Sequence, residues 1–367
     1  MISKINSINI NNYKTFAKHK NDKLTLKDIL NVSFKENNSD IFILGTGIAG
    51  LITAWYYRNY NVFLVGDKLG GQMSSEIPLG PRIIQKDNNT LELLKKLNIK
   101  NLETAIAKIT YCCNNSKLCT EAPDWFIEKY SEISRGSSLV EEHTMSENKN
   151  EIEYFKLSYN NFMEILIAEL QKYSNIKIVE DKVIEIKNNC IICENDTYVL
   201  PKTCKKISTI ILPIFLNLIK ANGIVRDQIK TQSKKVNFYK SIKSDISKFN
   251  KHYLEYFNTD ILYTYYANND GHTHPYHRKT ITNENTIYES VNDLLDNKIN
   301  SNKATIMNIE YLTSIPKIVN NNIKYSKILN WMMIGRFAEW DQSIKLNELL
   351  ENFKQGNYVF SDGDSDD

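Results

Sequence analysis

The sequence lacks an apolar run long enough to cross a membrane. Its longest apolar stretch, residues 210–216, is interrupted by Pro213 and is far shorter than the ~20 residues that a membrane helix needs. The first residues show no apolar segment of the secretory type, and six cysteines in so long a chain do not indicate a disulfide scaffold. We therefore expect a cytoplasmic protein with no membrane partner and no disulfides.

A strong charge excess is also missing. The 46 Lys and Arg residues are nearly balanced by 43 Asp and Glu residues, and the net charge is +3. The sequence therefore does not require nucleic acid as a partner. Hydrophobic residues make up 42% of the 367 residues, enough to fill the cores of two or three domains. The composition indicates an ordinary globular protein and leaves its oligomeric state open.

Residue types that are rare in this chain occur in clusters. Only six of the 46 basic residues are arginine. Seven of the 13 glycines lie within residues 45–80, and three of the six histidines lie within residues 272–277. These two stretches are the candidate functional segments of the sequence.

The glycine cluster opens with Gly45-Thr46-Gly47-Ile48-Ala49-Gly50. An apolar run at residues 41–44 precedes this motif, a helical pattern covers residues 48–57, and a second apolar run follows at residues 62–65. This order predicts a β-α-β unit. An ordinary tight turn is the alternative interpretation of the glycines.

In a dinucleotide-binding unit, each glycine of this motif has a defined structural role. Gly45 permits the tight turn, Gly47 lets a pyrophosphate approach the backbone, and Gly50 lets the helix pack on the strand. The backbone N–H groups of Ile48 and Ala49, at the start of the helix, are donors for the phosphates. Seventeen residues after Gly50, the acidic side chain of Asp67 is a candidate for binding the ribose hydroxyls.

Two more glycine segments follow, Leu69-Gly70-Gly71-Gln72 and Pro78-Leu79-Gly80-Pro81-Arg82. Either one alone is typical of a surface turn. In this order after the dinucleotide motif, they resemble the FAD-binding superfamily that includes amine oxidases, protoporphyrinogen oxidase and UDP-galactopyranose mutase. The resemblance implies FAD as the cofactor. It places Gly70, Gly71 and Gln72 along the cofactor, and Gly80, Pro81 and Arg82 beside the flavin.

Three later stretches occur in the order that the same resemblance implies. Residues 207–213 resemble the strand that returns from the substrate domain, and Pro275-Tyr276-His277-Arg278 resembles a mutase segment that reaches the substrate. Gly335-Arg336-Phe337-Ala338-Glu339-Trp340 resembles the closing flavin motif, which implies that Gly335, Arg336 and Trp340 bind the cofactor. The helix expected after this motif points its N-terminus at the flavin in that superfamily. It has one apolar face, formed by Leu346, Leu349, Leu350 and Phe353.

The catalytic candidates are His277, Arg278 and Arg82. His277 can transfer protons near neutral pH, and the mutase-like segment would carry it to the flavin. The two arginines can bind phosphate or carboxylate groups with both guanidinium arms, and buried ion pairs are the alternative. No metal is expected, since no carboxylate or cysteine completes a ligand set near the histidine cluster. Cys190 and Cys193 have redox spacing but lie in a strand pattern, so we interpret them as packing residues.

The predicted fold class is α/β, with a Rossmann-type FAD-binding domain and an interleaved α+β substrate domain. The FAD-binding domain is assigned to residues 39–100, 175–215 and 325–355, and the substrate domain to residues 101–174 and 216–324. Residues 1–38 are an N-terminal extension with a possible helix at 24–32, and residues 356–367 are an acidic tail. Helices are predicted at 90–97 and 159–173, a small antiparallel sheet at 176–179, 183–186 and 190–193, and a buried strand at 206–216.

The leading hypothesis for function is an FAD-dependent oxidoreductase, similar to the amine oxidases, that acts on a small polar substrate. A second hypothesis is a redox-neutral flavoenzyme similar to UDP-galactopyranose mutase, with a nucleotide sugar as substrate. A third is a protein that binds FAD without catalysis. The sequence leaves the substrate and the direction of the reaction open.

Overall fold

The computed structural model of the chain describes residues 34–74, 83–100, 102–112, 118–121, 123, 151–221, 229, 233–241, 244–266, 277–291, 309–318, 325–341 and 344–360. Its strands are β1 Phe34–Glu36, β2 Ile41–Leu44, β3 Val62–Gly66, β4 Ile84–Gln85, β5 Thr104–Cys112, β6 Leu118–Cys119, β7 Glu151–Phe155, β8 Ile176–Glu180, β9 Val183–Lys187, β10 Cys190–Cys193, β11 Thr197–Val199, β12 Lys205–Ser208, β13 Ser233–Ser241, β14 Ile261–Tyr266, β15 His277–Ile281, β16 Thr286–Val291, β17 Ile309–Ile318, β18 Lys327–Ile328 and β19 Trp331–Met333. Its helices are α1 Ile48–Tyr56, α2 Asn88–Lys96, α3 Tyr159–Leu170, α4 Leu212–Leu218, α5 Ser244–Tyr256 and α6 Leu346–Lys354, with a 3-10 helix at Gly71–Ser74.

A six-stranded sheet contains the predicted β-α-β unit. Its strand order is β18-β19-β12-β2-β3-β8, and every neighbouring pair is parallel except β18 with β19. All residues of β2 and β3 are buried, as expected for parallel strands that are covered on both faces. Parallel neighbours require a crossover, and α1 supplies it between β2 and β3. The predicted α/β fold with a Rossmann-type parallel sheet is therefore confirmed.

The two faces of this sheet bury two different hydrophobic cores. In β2, Ile41 and Ile43 belong to one core and Phe42 and Leu44 to the other, because successive side chains of a strand point to opposite faces. The first core also contains the buried residues of α1, α2, α3 and α6. The second contains those of α4 and of the strands β9, β10 and β11. The parallel sheet is thus the middle layer of three.

The C-terminal helix α6 packs through the apolar face that its sequence predicted. Leu349 and Leu350 are buried, and the ring of Phe353 stacks on Tyr56 of α1 with ring centroids 4.1 Å apart. The fold extends beyond this helix. Tyr358, in the stretch assigned to the acidic tail, is buried in the first core, so residues 356–360 are part of the folded structure.

Two sequence-based predictions about strands were wrong. Residues 176–179 were expected in a small antiparallel sheet, but β8 pairs in parallel with β3 at the edge of the main sheet. The half-exposed pattern of an edge strand resembles that of an antiparallel strand, so the pattern could not separate the two. Residues 206–216 were expected to form one strand. The strand ends at Ser208, and α4 begins at Leu212 with Pro213 in its first turn, where proline is tolerated.

Two further sheets complete the described fold. One, the small sheet, has the order β1-β11-β10-β9 and contains the predicted antiparallel pair of β9 and β10. The larger one has the order β17-β13-β16-β15-β14-β5-β7-β4, with β6 added beside β5. Its neighbouring strands are antiparallel except β5 with β14.

The strand β4, from the stretch assigned to the FAD-binding domain, belongs to this larger sheet, and α3, from the stretch assigned to the substrate domain, packs on α1. The division into two domains stays a prediction.

Candidate functional site

The turn from β2 into α1 requires two of its three glycines for packing. Gly45 has a φ of +114°, and a Cβ on it would lie 2.5 Å from Oγ1 of Thr209, so only glycine fits there. Its N–H donates to the carbonyl of Val65 at 2.7 Å, which fixes the turn to the neighbouring strand. A Cβ on Gly50 would lie 1.8 Å from the carbonyl oxygen of Gly45. The helix therefore contacts the turn directly, as the motif predicts.

Gly47 differs from the other two glycines because packing does not require it. Its backbone is extended, with a φ of −74°, and a Cβ placed on it would meet nothing within 4 Å. Gly47 is also the N-cap of α1, where no side chain caps the helix and the first turn contains no acidic residue. The first backbone N–H groups of a helix have no partner inside the helix and attract anions. Open space beside an uncapped helix N-terminus fits a pyrophosphate group.

The Gly70-Gly71 segment lies against this turn. The N–H of Gly70 donates to the carbonyl of Thr46 at 2.8 Å, and Gly70 and Gly47 form an isolated parallel bridge. A Cβ on Gly71 would lie 3.0 Å from Cα of Gly47. Gln72 follows in the 3-10 helix and is half-buried. The second glycine segment thus borders the open space beside Gly47.

Thr46 links this second segment to the turn, a role that the sequence analysis missed. Its hydroxyl donates to the carbonyl of Lys68 at 2.8 Å. It also fills the space beside Gly66, since a Cβ on Gly66 would lie 2.3 Å from Oγ1 of Thr46.

Asp67, the candidate ribose ligand, is the exposed residue directly after β3. The carboxylate of Glu180, at the end of β8, accepts from the N–H of Leu69 at 3.0 Å.

The closing motif reaches the same place from the other end of the chain. Gly335 follows β19 and has a φ of +97°, and a Cβ on it would lie 3.0 Å from Cβ of Ala49 in the first turn of α1. The N–H of Ile334, the residue before Gly335, donates to the carbonyl of Ser208 at 3.0 Å. This hydrogen bond holds the segment after β19 beside the end of β12. Three glycine segments that are far apart in sequence therefore meet around the N-terminus of α1.

Arg336 is half-buried next to this meeting point. Its Nε donates to the carbonyl of Ile344 at 3.0 Å, which fixes the side chain to the segment before α6. Its positive charge reaches Tyr159, the first residue of α3. Burial raises the pKa of Tyr159, the charge of Arg336 opposes that rise, and the carboxylate of Asp87 adds to it. The start of α3 thus lies within electrostatic reach of the closing motif, which the sequence analysis did not foresee.

Trp340 lies in the second hydrophobic core. Its side chain is fully buried, its φ is +58°, and its indole N–H has no hydrogen-bond partner in the described part of the chain. A positive φ is uncommon for a bulky residue and marks a constrained backbone. The predicted contact of Trp340 with the cofactor stays a prediction.

Two of the predicted catalytic residues lie on the large sheet. Arg278 forms an ion pair with Glu289, its cross-strand neighbour in β16, and its guanidinium carbon lies 5.1 Å from the centre of the Tyr263 ring. Burial alone would lower the pKa of Arg278, but the Glu289 carboxylate outweighs this and raises it well above its ordinary value. His277 begins β15 and is aligned with Tyr266 of β14. The observed contacts of Arg278 are those of the structural alternative, an ion pair.

The other candidates are placed as follows. Gly80, Pro81 and Arg82 lie outside the described residues, as do Pro275, Tyr276, His272 and His274. Among the residues that the structure describes, no three His, Cys, Asp or Glu side chains are grouped so that they could bind a metal. Cys190 and Cys193 are reduced members of β10, and burial raises the pKa of Cys193 to about 12. Cys193 packs in the second core, as interpreted, whereas Cys190 is half-buried.

Comparisons with known proteins give the class of fold. The sequence matches no protein-family model and no curated protein. Two solved structures have a TM-score of 0.51 to this chain. One is a geranylgeranyl bacteriochlorophyll reductase-like protein from Thermoplasma acidophilum, 12% identical, with 88% of this chain and 81% of that chain covered. The other is putrescine oxidase bound to putrescine, 8% identical, with 86% of this chain and 97% of that chain covered.

These identities are too low to transfer a reaction, but the coverage extends over most of each chain. The protein therefore shares its overall α/β fold with these two proteins. The likeness does not single out the amine oxidase, protoporphyrinogen oxidase and mutase group that the sequence resembles. Within the described part of the chain, no helix has both the length and the apolar character needed to span a membrane.

Proposed function

We propose that this protein is an FAD-dependent oxidoreductase, similar to the amine oxidases, that acts on a small polar molecule. The observation that carries the proposal is the convergence of Gly47, Gly71 and Gly335 on the N-terminus of α1, with open space beside Gly47. At Gly71 and Gly335 an added Cβ would lie only 3.0 Å from another segment, so the site is built from separate parts of the chain. A simple surface turn would not need this arrangement.

Each segment has a place in the proposed complex. The N–H groups of Ile48, Ala49 and Gly50 face the pyrophosphate, because they are the first donors of α1 and no side chain caps the helix. Asp67, at the carboxyl end of β3, receives the ribose hydroxyls.

The remaining segments are assigned to the rest of the cofactor. Gly70, Gly71 and Gln72 lie along it. Arg336 would contribute its charge near the flavin or the phosphates, and the resemblance of the sequence implies that Gly80, Pro81 and Arg82, which are outside the described residues, bind beside the flavin. When bound, FAD supplies the hydride acceptor or donor, while the protein orients the reactants and excludes water.

The two proteins that share this fold support a redox function for this chain. One is described as similar to a reductase, and the other is an oxidase bound to putrescine. The mutase hypothesis gains no such support. It depends on Pro275 to Arg278 together with the closing Gly335-Arg336, and in the described part of the first segment the Arg278 guanidinium forms an ion pair with Glu289.

The direct test is the visible spectrum of the purified protein, recorded oxidised and after dithionite, with identification of any molecule that heat releases. We expect released FAD, absorbance in the visible range and reversible bleaching. A colourless protein that does not take up added FAD would contradict the proposal.

A second measurement separates catalysis from simple binding. The oxidised holoprotein is mixed anaerobically with amines, including putrescine, and the flavin absorbance is followed. Substrate-dependent bleaching supports an oxidoreductase. Bound FAD that no substrate or nicotinamide reduces, but that dithionite does, would favour a protein that binds FAD without catalysis.

A further inference from the structure

The closing motif contains a buried carboxylate, Glu339, which lies directly behind Gly335. Glu339 is only 2% exposed, and its Oε1 accepts the N–H of Gly335 at 2.9 Å. The backbone returns the contact, since the N–H of Glu339 donates to the carbonyl of Gly335 at 2.9 Å. The side chain and the backbone of one residue therefore close a tight turn around Gly335.

A tyrosine from the C-terminal segment orients this carboxylate. The hydroxyl of Tyr358 donates to the same Oε1 of Glu339, and burial, followed by the charge of Glu339, raises the pKa of Tyr358 above its ordinary range. Tyr358 is itself fixed by two contacts. Asn352 of α6 donates to its hydroxyl at 3.2 Å, and the hydroxyl of Tyr57 donates to its carbonyl. The carboxylate is thus linked to α6 and to the end of α1.

The position of Glu339 ties this network to the proposed cofactor site. Gly335 is the residue that approaches Ala49 in the first turn of α1, and Arg336 follows it directly. The Glu339 carboxylate is held in one position, because moving it would leave the N–H of Gly335 or the hydroxyl of Tyr358 without this acceptor in the core, which is costly. If Glu339 were absent, the N–H of Gly335 would lose its acceptor, and the turn could move away from α1.

We propose that Glu339 is a positioning residue for FAD, and that Tyr358 keeps its carboxylate in place. Glu339 acts through Gly335 and Arg336 and does not itself touch the cofactor. This inference rests on the proposed function. It adds that a buried carboxylate and a C-terminal tyrosine determine how tightly the closing motif binds FAD.

The experiment measures the Kd for FAD of the full chain and of two variants at position 339. Glu339→Ala removes the acceptor, and we expect FAD binding at least about tenfold weaker. Glu339→Gln keeps a carbonyl oxygen in the place of Oε1, and we expect it to restore affinity to within about threefold of the unmodified chain. Glu185→Ala is the control, because Glu185 is a buried carboxylate of the small sheet with ion pairs to Lys187 and Lys220. It should lower stability without weakening FAD binding.

Tyr358→Phe gives a second test that keeps the fold if Glu339→Ala does not fold. Its matched control is Tyr198→Phe, since Tyr198 is also buried and its hydroxyl donates to a carboxylate, that of Asp196, at 3.3 Å. We expect FAD binding about threefold weaker in Tyr358→Phe and unchanged in the control.

The outcomes separate the two proposals. If the unmodified chain binds FAD and both Glu339→Ala and Tyr358→Phe bind it equally well, the positioning role is wrong and the proposed function stands. A loss in Glu339→Ala that Glu339→Gln does not restore also overturns the acceptor role. If the unmodified chain binds no FAD, the proposed function is wrong and the positioning role is overturned with it.

Discussion

Gly47 and Gly50 provide a sharp test of the site because alanine has opposite consequences at two positions only three residues apart. At Gly47 the φ of −74° suits any residue, and the added methyl group meets nothing within 4 Å. At Gly50 the methyl group would lie 1.8 Å from the carbonyl oxygen of Gly45. The first change leaves the protein without a collision, and the second forces α1 away from the turn.

The expected magnitudes follow from these contacts. Gly47→Ala should change the stability of the protein without FAD by less than about 1 kcal/mol, because alanine restricts the unfolded chain more than glycine does but is a poorer N-cap residue. The same methyl group enters the space assigned to the pyrophosphate. Losing about two hydrogen bonds from N–H groups to a charged phosphate costs about 3 kcal/mol, which corresponds to FAD binding weaker by about 100-fold. Gly50→Ala should cost about 3 kcal/mol of folding free energy or more.

Two measurements check this pair of variants. Urea unfolding without FAD gives the stability of each one, and FAD titration at 25 °C, followed by flavin fluorescence, gives the affinity of those that fold. The reasoning is refuted if Gly47→Ala binds FAD as tightly as the unmodified chain, or if Gly50→Ala is as stable as it. A Gly47→Ala variant that is strongly destabilised without FAD would show that the space beside Gly47 is filled by protein.

Three further predictions concern stability and thiol chemistry. Gly66→Ala should destabilise the protein by about 2 kcal/mol in urea unfolding, because the new methyl group would lie 2.6 Å from the backbone nitrogen of Thr46. Burial would raise the pKa of Glu185, but the hydrogen bonds from Lys220 and Lys187 outweigh burial and lower this pKa. A lowered pKa stabilises the fold above the unfolded value of about 4.3, and this effect is lost as the pH falls through the folded value. Lys220→Met should therefore cost on the order of 1 kcal/mol at pH 7, and the cost should shrink as the pH is lowered below about 4.3. Cys193, with its pKa raised to about 12, should resist iodoacetamide at pH 8 until urea unfolds the protein, as mass spectrometry of labelled peptides would show.

Local patterns predicted the parts of the fold that depend on neighbouring residues. The β-α-β unit follows from two apolar runs around a glycine motif, and the structure places β2, α1 and β3 within one residue of the expected bounds. The apolar face of α6 follows from spacing alone and is buried as expected. Here the physics that decides the structure lies within a few residues, so the sequence contains it.

Contacts between distant segments could not be predicted in the same way. The edge position of β8 depends on its pairing with β3, a strand far away in the sequence, which a half-exposed pattern does not reveal. Tyr358 is buried in the first core, and its hydroxyl contacts Glu339, a residue in a different motif. From the sequence, the acidic composition of residues 361–367 suggested a tail from 356 onwards. A buried polar pair has no local signature, because each partner alone resembles an ordinary surface residue.

The geometry of a parallel sheet explains why the glycine motifs nevertheless located the site. The carboxyl ends of parallel neighbours lie at one edge, so the residues that follow β2, β3, β12 and β19 meet there. Gly45, Asp67 and Gly335 each follow one of these strands directly or within one residue. Thr209, which follows β12, packs against Gly45 for the same reason, and its hydroxyl donates to the carbonyl of Leu44 at 3.1 Å. Thr209 could not be located in this way, because the buried strand predicted at 206–216 concealed the end of β12 at Ser208, and no strand end marks Glu339 or Tyr358.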